Sequence, residues 1–251
     1  MDSQTILIVT GAVVAGFVQG LSGVGFGLVA MSFWAWTLEP KLAAAMVVCG
    51  ALTGQLIAVG TVRRGFELRR LTPFLAGGLI GIPAGLLLLP LMNVQMFKTF
   101  LGLLLMLWCP AMLMAGRLPR ITAGGQLGNG LAGGMGGMMS AMGGFSGVIP
   151  TLWCTLRGYD KDAQRAIIQN FNLAVLLVTM ATYIATGLVT RETMPMLVVV
   201  VPAMLIPSVI GARLYIGISE AAFRKIVLGL LTASGVALLV SSLHHLLGRA
   251  S

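Results

Sequence analysis

Charged residues divide this chain into long uncharged runs that are mostly apolar. The runs cover residues 3–38 (36 residues), 42–62 (21), 71–97 (27), 99–116 (18), 121–156 (36), 166–190 (25), 193–212 (20) and 226–248 (23). A helix that crosses a bilayer needs about 20 apolar residues, so six of these runs fit one crossing each. At 1.5 Å per residue the two longest would make helices of about 54 Å, against a hydrocarbon core of about 30 Å.

Glycine interrupts both long runs. The first reads Gly20-Leu21-Ser22-Gly23-Val24-Gly25-Phe26-Gly27. The second reads Gly133-Gly134-Met135-Gly136-Gly137, then Gly143-Gly144-Phe145-Ser146-Gly147, with Pro150 close behind. Each glycine costs a helix interior about 1 kcal/mol relative to alanine, so these clusters are predicted to end helices. Each long run then becomes two half-helices that meet near mid-membrane, a hairpin entering and leaving on the same side. One long tilted helix, packed through its small residues, is the competing reading.

Charge separates the two. The chain has 57% hydrophobic and 9% charged residues, where a soluble domain carries about 25% charged, so a soluble globular protein is excluded. Sixteen Lys and Arg against seven Asp and Glu give a formal charge of +9. They lie between apolar runs rather than on one face, which speaks for membrane topology and against nucleic acid. Eight plain crossings would divide the sixteen basic residues 8 against 8. Two hairpins and six crossings put Arg63, Arg64, Arg69, Arg70, Arg117, Arg120, Arg157, Lys161, Arg165, Arg213, Arg224 and Lys225 on one side. Only Lys41, Lys98, Arg191 and Arg249 remain opposite, a split of 12 against 4. The rule that basic loops stay inside makes the twelve cytoplasmic and both termini external. The chain is therefore expected in the bacterial inner membrane, lipid on all sides, as an all-α multi-pass protein. Met1-Asp2-Ser3-Gln4 has no basic start, so the first apolar run reads as mature protein and not as a signal peptide.

A weak internal repeat runs through the chain. At an offset of 119, Gly25, Phe26, Val29 and Trp34 fall on Gly144, Phe145, Val148 and Trp153. At an offset of 126, Gly77, Gly81 and Gly85 fall on Ala203, Pro207 and Gly211, and Phe97-Lys98 on Phe223-Arg224. Residues 1–118 and 119–251 then form two repeats, each a broken hairpin followed by three spans. Three is odd, so the second copy is inverted, the layout of secondary transporters whose substrate sits where the breaks meet. For the small residues spaced by four, close helix packing is a sufficient account.

A helix that starts inside the membrane points unpaired N–H groups and a positive dipole end at whatever lies before it. Such a start is an anion site made of backbone. The candidates are Ser22, Gly23, Gly25, Phe26 and Gly27 in the first break, and Gly143, Gly144, Phe145, Ser146 and Gly147 in the second. The two serines add hydroxyl donors, and the two phenylalanines wall or gate the site. Among the other polar residues of the spans (Gln19, Thr53, Gln55, Ser140, Gln169, Asn170, Asn172), bonding to a neighbouring helix is the default role. Gln55 and Asn170 are the expected exceptions, because each follows a hairpin in a span that lines it. All seven acids lie in loops or at the ends, so no carboxylate within a span can load a coupling proton or sodium ion. No nucleophile–base pair, phosphate loop or metal cluster is apparent, which excludes an enzyme and predicts neither cofactor nor metal.

The broken glycine-rich segments, Gly20 to Gly27 and Gly143 to Pro150, resemble the sulfite exporter TauE/SafE family, as do Gly211-Ala212-Arg213-Leu214 and Phe223-Arg224-Lys225. The resemblance implies a transporter of small sulfur oxyanions or organosulfonates: sulfite, thiosulfate, or sulfonates such as sulfoacetate. One departure is that Met31 stands where the second break has Pro150. Two further readings stay open. One is an importer of thiosulfate or other reduced sulfur in which Cys49 and Cys154 act on the passing anion. The other is a non-transporting membrane scaffold, disfavoured because irregular backbone at membrane depth belongs beside a cavity or inside protein. Monomer and homodimer are both compatible with the sequence.

Overall fold

The computed structural model describes residues 3–22, 25–61, 68–115, 120–191, 193–213 and 220–247, with backbone alone at 3, 22, 60, 61, 220, 221, 223, 224 and 244–247. Gly23 and the side chain of Ser22 therefore lie outside the described residues, as do Arg63, Arg64, Arg117 and Arg249. Among the described residues there are ten helices: α1 (Ser3–Ser22), α2 (Phe26–Trp34), α3 (Pro40–Thr61), α4 (Leu68–Leu88), α5 (Val94–Met114), α6 (Gly125–Gly143), α7 (Val148–Leu156), α8 (Lys161–Ala185), α9 (Met194–Arg213) and α10 (Glu220–Leu247). Seven of them, all but α2, α6 and α7, are long and apolar enough to cross a membrane. Large apolar side chains such as Ile80 (78% exposed) and Leu127 (77%) cover the outward faces. Surface of that kind belongs against acyl chains, and the protein is a multi-pass membrane protein.

Both long uncharged runs form hairpins. Trp34, at the end of α2, donates its indole N–H to the carbonyl of Ile8 near the start of α1 (3.2 Å). Trp153 on α7 donates in the same way to Asn129 Oδ1 near the start of α6 (2.8 Å). Beyond it, the N–H of Ile121 bonds the carbonyl of Leu156 (2.9 Å). The chain thus returns in each case to the level at which it set out. The arms differ from the half-helices expected: α1 and α6 have 20 and 19 residues, α2 and α7 only 9 each.

The reason lies in Gly133, Gly134, Gly136 and Gly137, which do not end a helix but run through the middle of α6. A Cβ on Gly133 or Gly137 would strike the carbonyl of Phe74 or Gly78 on α4, and one on Gly77 or Gly81 of α4 would strike Gly130 or Gly134. Backbone-to-backbone contact along α4 and α6 offsets the low helix propensity of glycine. α1 meets α9 in the same manner: a Cβ on Gly16 would lie 2.5 Å from the Met204 carbonyl, and one on Gly211 2.5 Å from that of Phe17. Both pairs run parallel, whereas α5 and α10 run antiparallel, with Gly102 against Gly235 and Leu239 and Thr99 bonded to Ser242.

Two hydrogen bonds fix the depth of the breaks. Gln19, one turn before the end of α1, donates to the carbonyl of Ala51 (3.3 Å), the twelfth of 22 residues in α3. Ser146 donates to Oδ1 of Asn172 (2.9 Å), the twelfth of 25 in α8. Each break lies level with the middle of a spanning helix.

The loops also sort as the charge count demands. Arg70 sits over the ring of Tyr159 at 5.1 Å, and Arg157 donates to the carbonyls of Ile121, Thr122 and Ala123. A Cβ on Gly158 would lie 2.7 Å from the Arg120 side chain. Arg69, Arg70, Arg120 and Arg157 therefore share a face, which eight plain crossings would forbid. Lys98 lies elsewhere, over the ring of Trp36 at 5.3 Å.

Candidate substrate site

The two breaks meet. A Cβ on Gly27 would lie 3.1 Å from the carbonyl oxygen of Gly144 and 3.3 Å from the Phe145 ring. Val47 of α3 fits between them, its Cγ1 2.6 Å from a Cβ on Gly144. Two sharp turns allow the approach. Gly25, before α2, has φ +103°, and Gly144, after α6, has φ +72°. An L side chain in that region costs about 1–2 kcal/mol. Among the described residues only Val18 Cγ1 (3.9 Å) would touch a Cβ on Gly25.

The phenylalanines do not wall an open site. Phe26 is 1% exposed, packed on Gly50 and set edge-on to Trp34 at 6.1 Å. Phe145 is buried too, its ring folded back over Gly143. Both are core side chains that hold the breaks together in this conformation.

At the first break Gln19 Oε1 accepts the N–H of Phe26 (3.2 Å), while no acceptor among the described residues takes the N–H of Gly27 or Leu28. Gln19 thus joins α1, α2 and α3. Its position one turn before the break was the available signal, outweighed by the usual role of a polar span residue as helix-to-helix glue. At the second break the N–H groups of Gly144, Phe145 and Val148 are bonded within the turn. No carbonyl among the described residues accepts from Ser146, Gly147 or Ile149, and Pro150 has no N–H. Three donors and the positive end of α7 converge there.

Asn172 attends this turn. Its Oδ1 holds Ser146, and it is the first group a Cβ on Gly147 would meet (2.9 Å). Asn170 donates back to Ala166 of its own helix (2.8 Å). Two positions apart on a helix is about 200°, so the two asparagines point to different sides of α8. Gln55 is buried on α3, one turn beyond Ala51. Of the cysteines, half-buried Cys49 adjoins Gly50 behind Phe26. Cys154 is fully buried on α7, in the cluster of Leu71, Phe74 and Ile167.

A polytopic helical protein with two interrupted helices in contact at mid-membrane, each offering backbone donors with no acceptor among the described residues, has the construction of a membrane transporter for anions. The chain belongs to the sulfite exporter TauE/SafE family, whose model matches residues 8–238. No curated protein and no solved structure matches the chain.

Proposed function

We propose that this protein exports small sulfur-containing anions across the bacterial inner membrane. Sulfite, thiosulfate and sulfonates such as sulfoacetate are the substrate class, and transport rather than catalysis is the activity. The observation that carries this reading is the set of unpaired N–H groups of Ser146, Gly147 and Ile149 at the start of α7. Backbone donors at a helix start suit a compact oxyanion, and family membership supplies the sulfur chemistry. Gly25, Gly27, Gly144 and Ser146 line the path, with Asn172 holding the serine.

The packing supports alternating access. α1 pairs with α9 and α4 with α6, so each close backbone contact joins the segment 1–118 to the segment 119–251. This crossed pairing supports two inverted repeats that rock against each other around the breaks. Contact between Gly27, Gly144 and Phe145 is then the closed barrier, and its opening admits the anion. Cys49, beside the first break, keeps a thiosulfate-importing reading to a single thiol. The deciding experiment measures flux of sulfite, thiosulfate, sulfoacetate, phosphate and chloride in proteoliposomes. Movement of at least one sulfur anion well above phosphate is expected. Equal permeation of all five, or of none, would end this proposal.

A further inference from the structure

We infer a second anion site, away from the breaks, on the arginine-rich face. A cavity of about 250 Å³ opens there, lined by Arg69, Arg70, Gln126, Asn129, Arg157 and Tyr159. It is a built site. Asn129 is 4% exposed; its Oδ1 accepts the Trp153 indole N–H (2.8 Å) and its Nδ2 donates to the Tyr159 hydroxyl (3.3 Å). That network fixes the tyrosine ring on which Arg70 lies. Arg157 is held through Nη1 by three carbonyls that lead into α6, and its guanidinium lies over the Trp153 ring at 6.0 Å. Its Nε and Nη2 donate to nothing among the described residues, which leaves three of its five N–H donors for a ligand.

The surroundings identify the ligand as an anionic phospholipid. Leu127, next in the chain to Gln126 of the lining, is 77% exposed, and Leu68, beside Arg69, is 62% exposed. A soluble anion has no use for these exposed leucines, whereas the acyl chain of a lipid held by its headgroup lies against them. Arginine forks match the phosphodiester oxygens in geometry and charge, and basic pockets between spanning helices suit anionic headgroups. The lipid would bridge the α4 and α6 ends to the α7–α8 link and so brace the second hairpin.

Native mass spectrometry and thermal melting of the purified full chain test this, with phosphatidylglycerol, phosphatidylcholine or inorganic phosphate added at equal ionic strength. Phosphatidylglycerol should be retained and should raise the melting temperature; the other two should do neither. Arg69→Gln and, separately, Arg157→Gln should each cut retained phosphatidylglycerol at least fivefold, while Lys41→Gln and Lys98→Gln on the other face leave it unchanged. Among the described residues Arg69 has no hydrogen-bond, ion-pair or ring partner, so its variant stands even where Arg157→Gln misfolds. Equal retention in Arg69→Gln and Lys41→Gln, or stabilisation by inorganic phosphate as large as that by the lipid, would overturn the assignment.

Discussion

Gly27 and Gly144 touch across the two helix breaks, with 3.1 Å between a Cβ on the first and the carbonyl oxygen of the second. They are far apart in sequence, and the contact exists because both positions lack a side chain. On the proposed alternating-access mechanism it also marks where the path is shut.

Substitutions at the glycines should therefore separate folding from transport. Gly25→Ala meets no atom closer than Val18 Cγ1 at 3.9 Å, so its cost is backbone strain of about 1–2 kcal/mol. Gly27→Ala forces Gly144 and Phe145 apart by tenths of an ångström, and Gly27→Leu overpacks the site by about 1–3 kcal/mol. Melting temperature should fall moderately in all three. Sulfite flux should drop far more in Gly27→Leu than in Gly27→Ala. Equal flux in the two leucine and alanine variants would show that the contact is not part of the barrier.

Ser146 and Asn172 should behave as a coupled pair. Ser146→Ala removes one hydrogen bond, worth about 1 kcal/mol. Asn172→Ala leaves a buried hydroxyl unpaired and should cost about 1–3 kcal/mol. A double-mutant cycle on thermal stability should give a coupling of at least about 0.5 kcal/mol. Asn172→Asp places a negative charge beside the free N–H groups and should raise the KM for sulfite more than it lowers stability. An unchanged KM in that variant would move the anion away from α7.

These residues also show what the sequence could convey. Uncharged runs of 36 residues with glycine in the middle were enough for two hairpins, because a bilayer sets a maximum helix length. The charge split grouped Arg70 with Arg157 before any contact was visible. Gly133 to Gly137 were read as a helix end for the same reason that glycine is a weak helix former; their true role depends on α4, which lies some 50 residues earlier. That Asn172 reaches Ser146 rests on the rotation of α8 about its axis. Both asparagines carry the same side chain, so only packing separates them. Gln19 was legible as polar and buried, but its reach across the break depends on where α1 stops.

Topology can be tested on single cysteines placed in a background without Cys49, Cys109 and Cys154. Gln126 and Glu39 are both exposed, the first beside the arginine cluster and the second near Lys41. The excess of basic residues on the arginine face makes it cytoplasmic. An impermeant maleimide applied to intact cells should label Glu39→Cys and spare Gln126→Cys until the membrane is opened. The reverse pattern would turn the protein over, and with it the direction of export.

Energetics give the last prediction. The acids lie in loops or at helix ends, and Asp160 is engaged in capping α8, its side chain accepting the N–H of Ala163 (2.8 Å). With no carboxylate inside a span to load a proton or sodium ion, the simplest mechanism is an electrogenic uniporter. An interior-negative potential drives an anion outward with about 2.3 kcal/mol per charge per 100 mV. For doubly charged sulfite at about 140 mV this is roughly 6 kcal/mol, an outward bias above about 10⁴ at equilibrium. Uptake of the same dianion would need at least about three co-transported cations for the potential to assist it. In proteoliposomes with a potassium–valinomycin potential and no pH or sodium gradient, sulfite efflux should rise with interior-negative voltage and reverse when the voltage is reversed. Efflux that ignores voltage and follows a proton gradient would replace the uniporter with a coupled carrier, and the loop acids would then be the first residues to mutate.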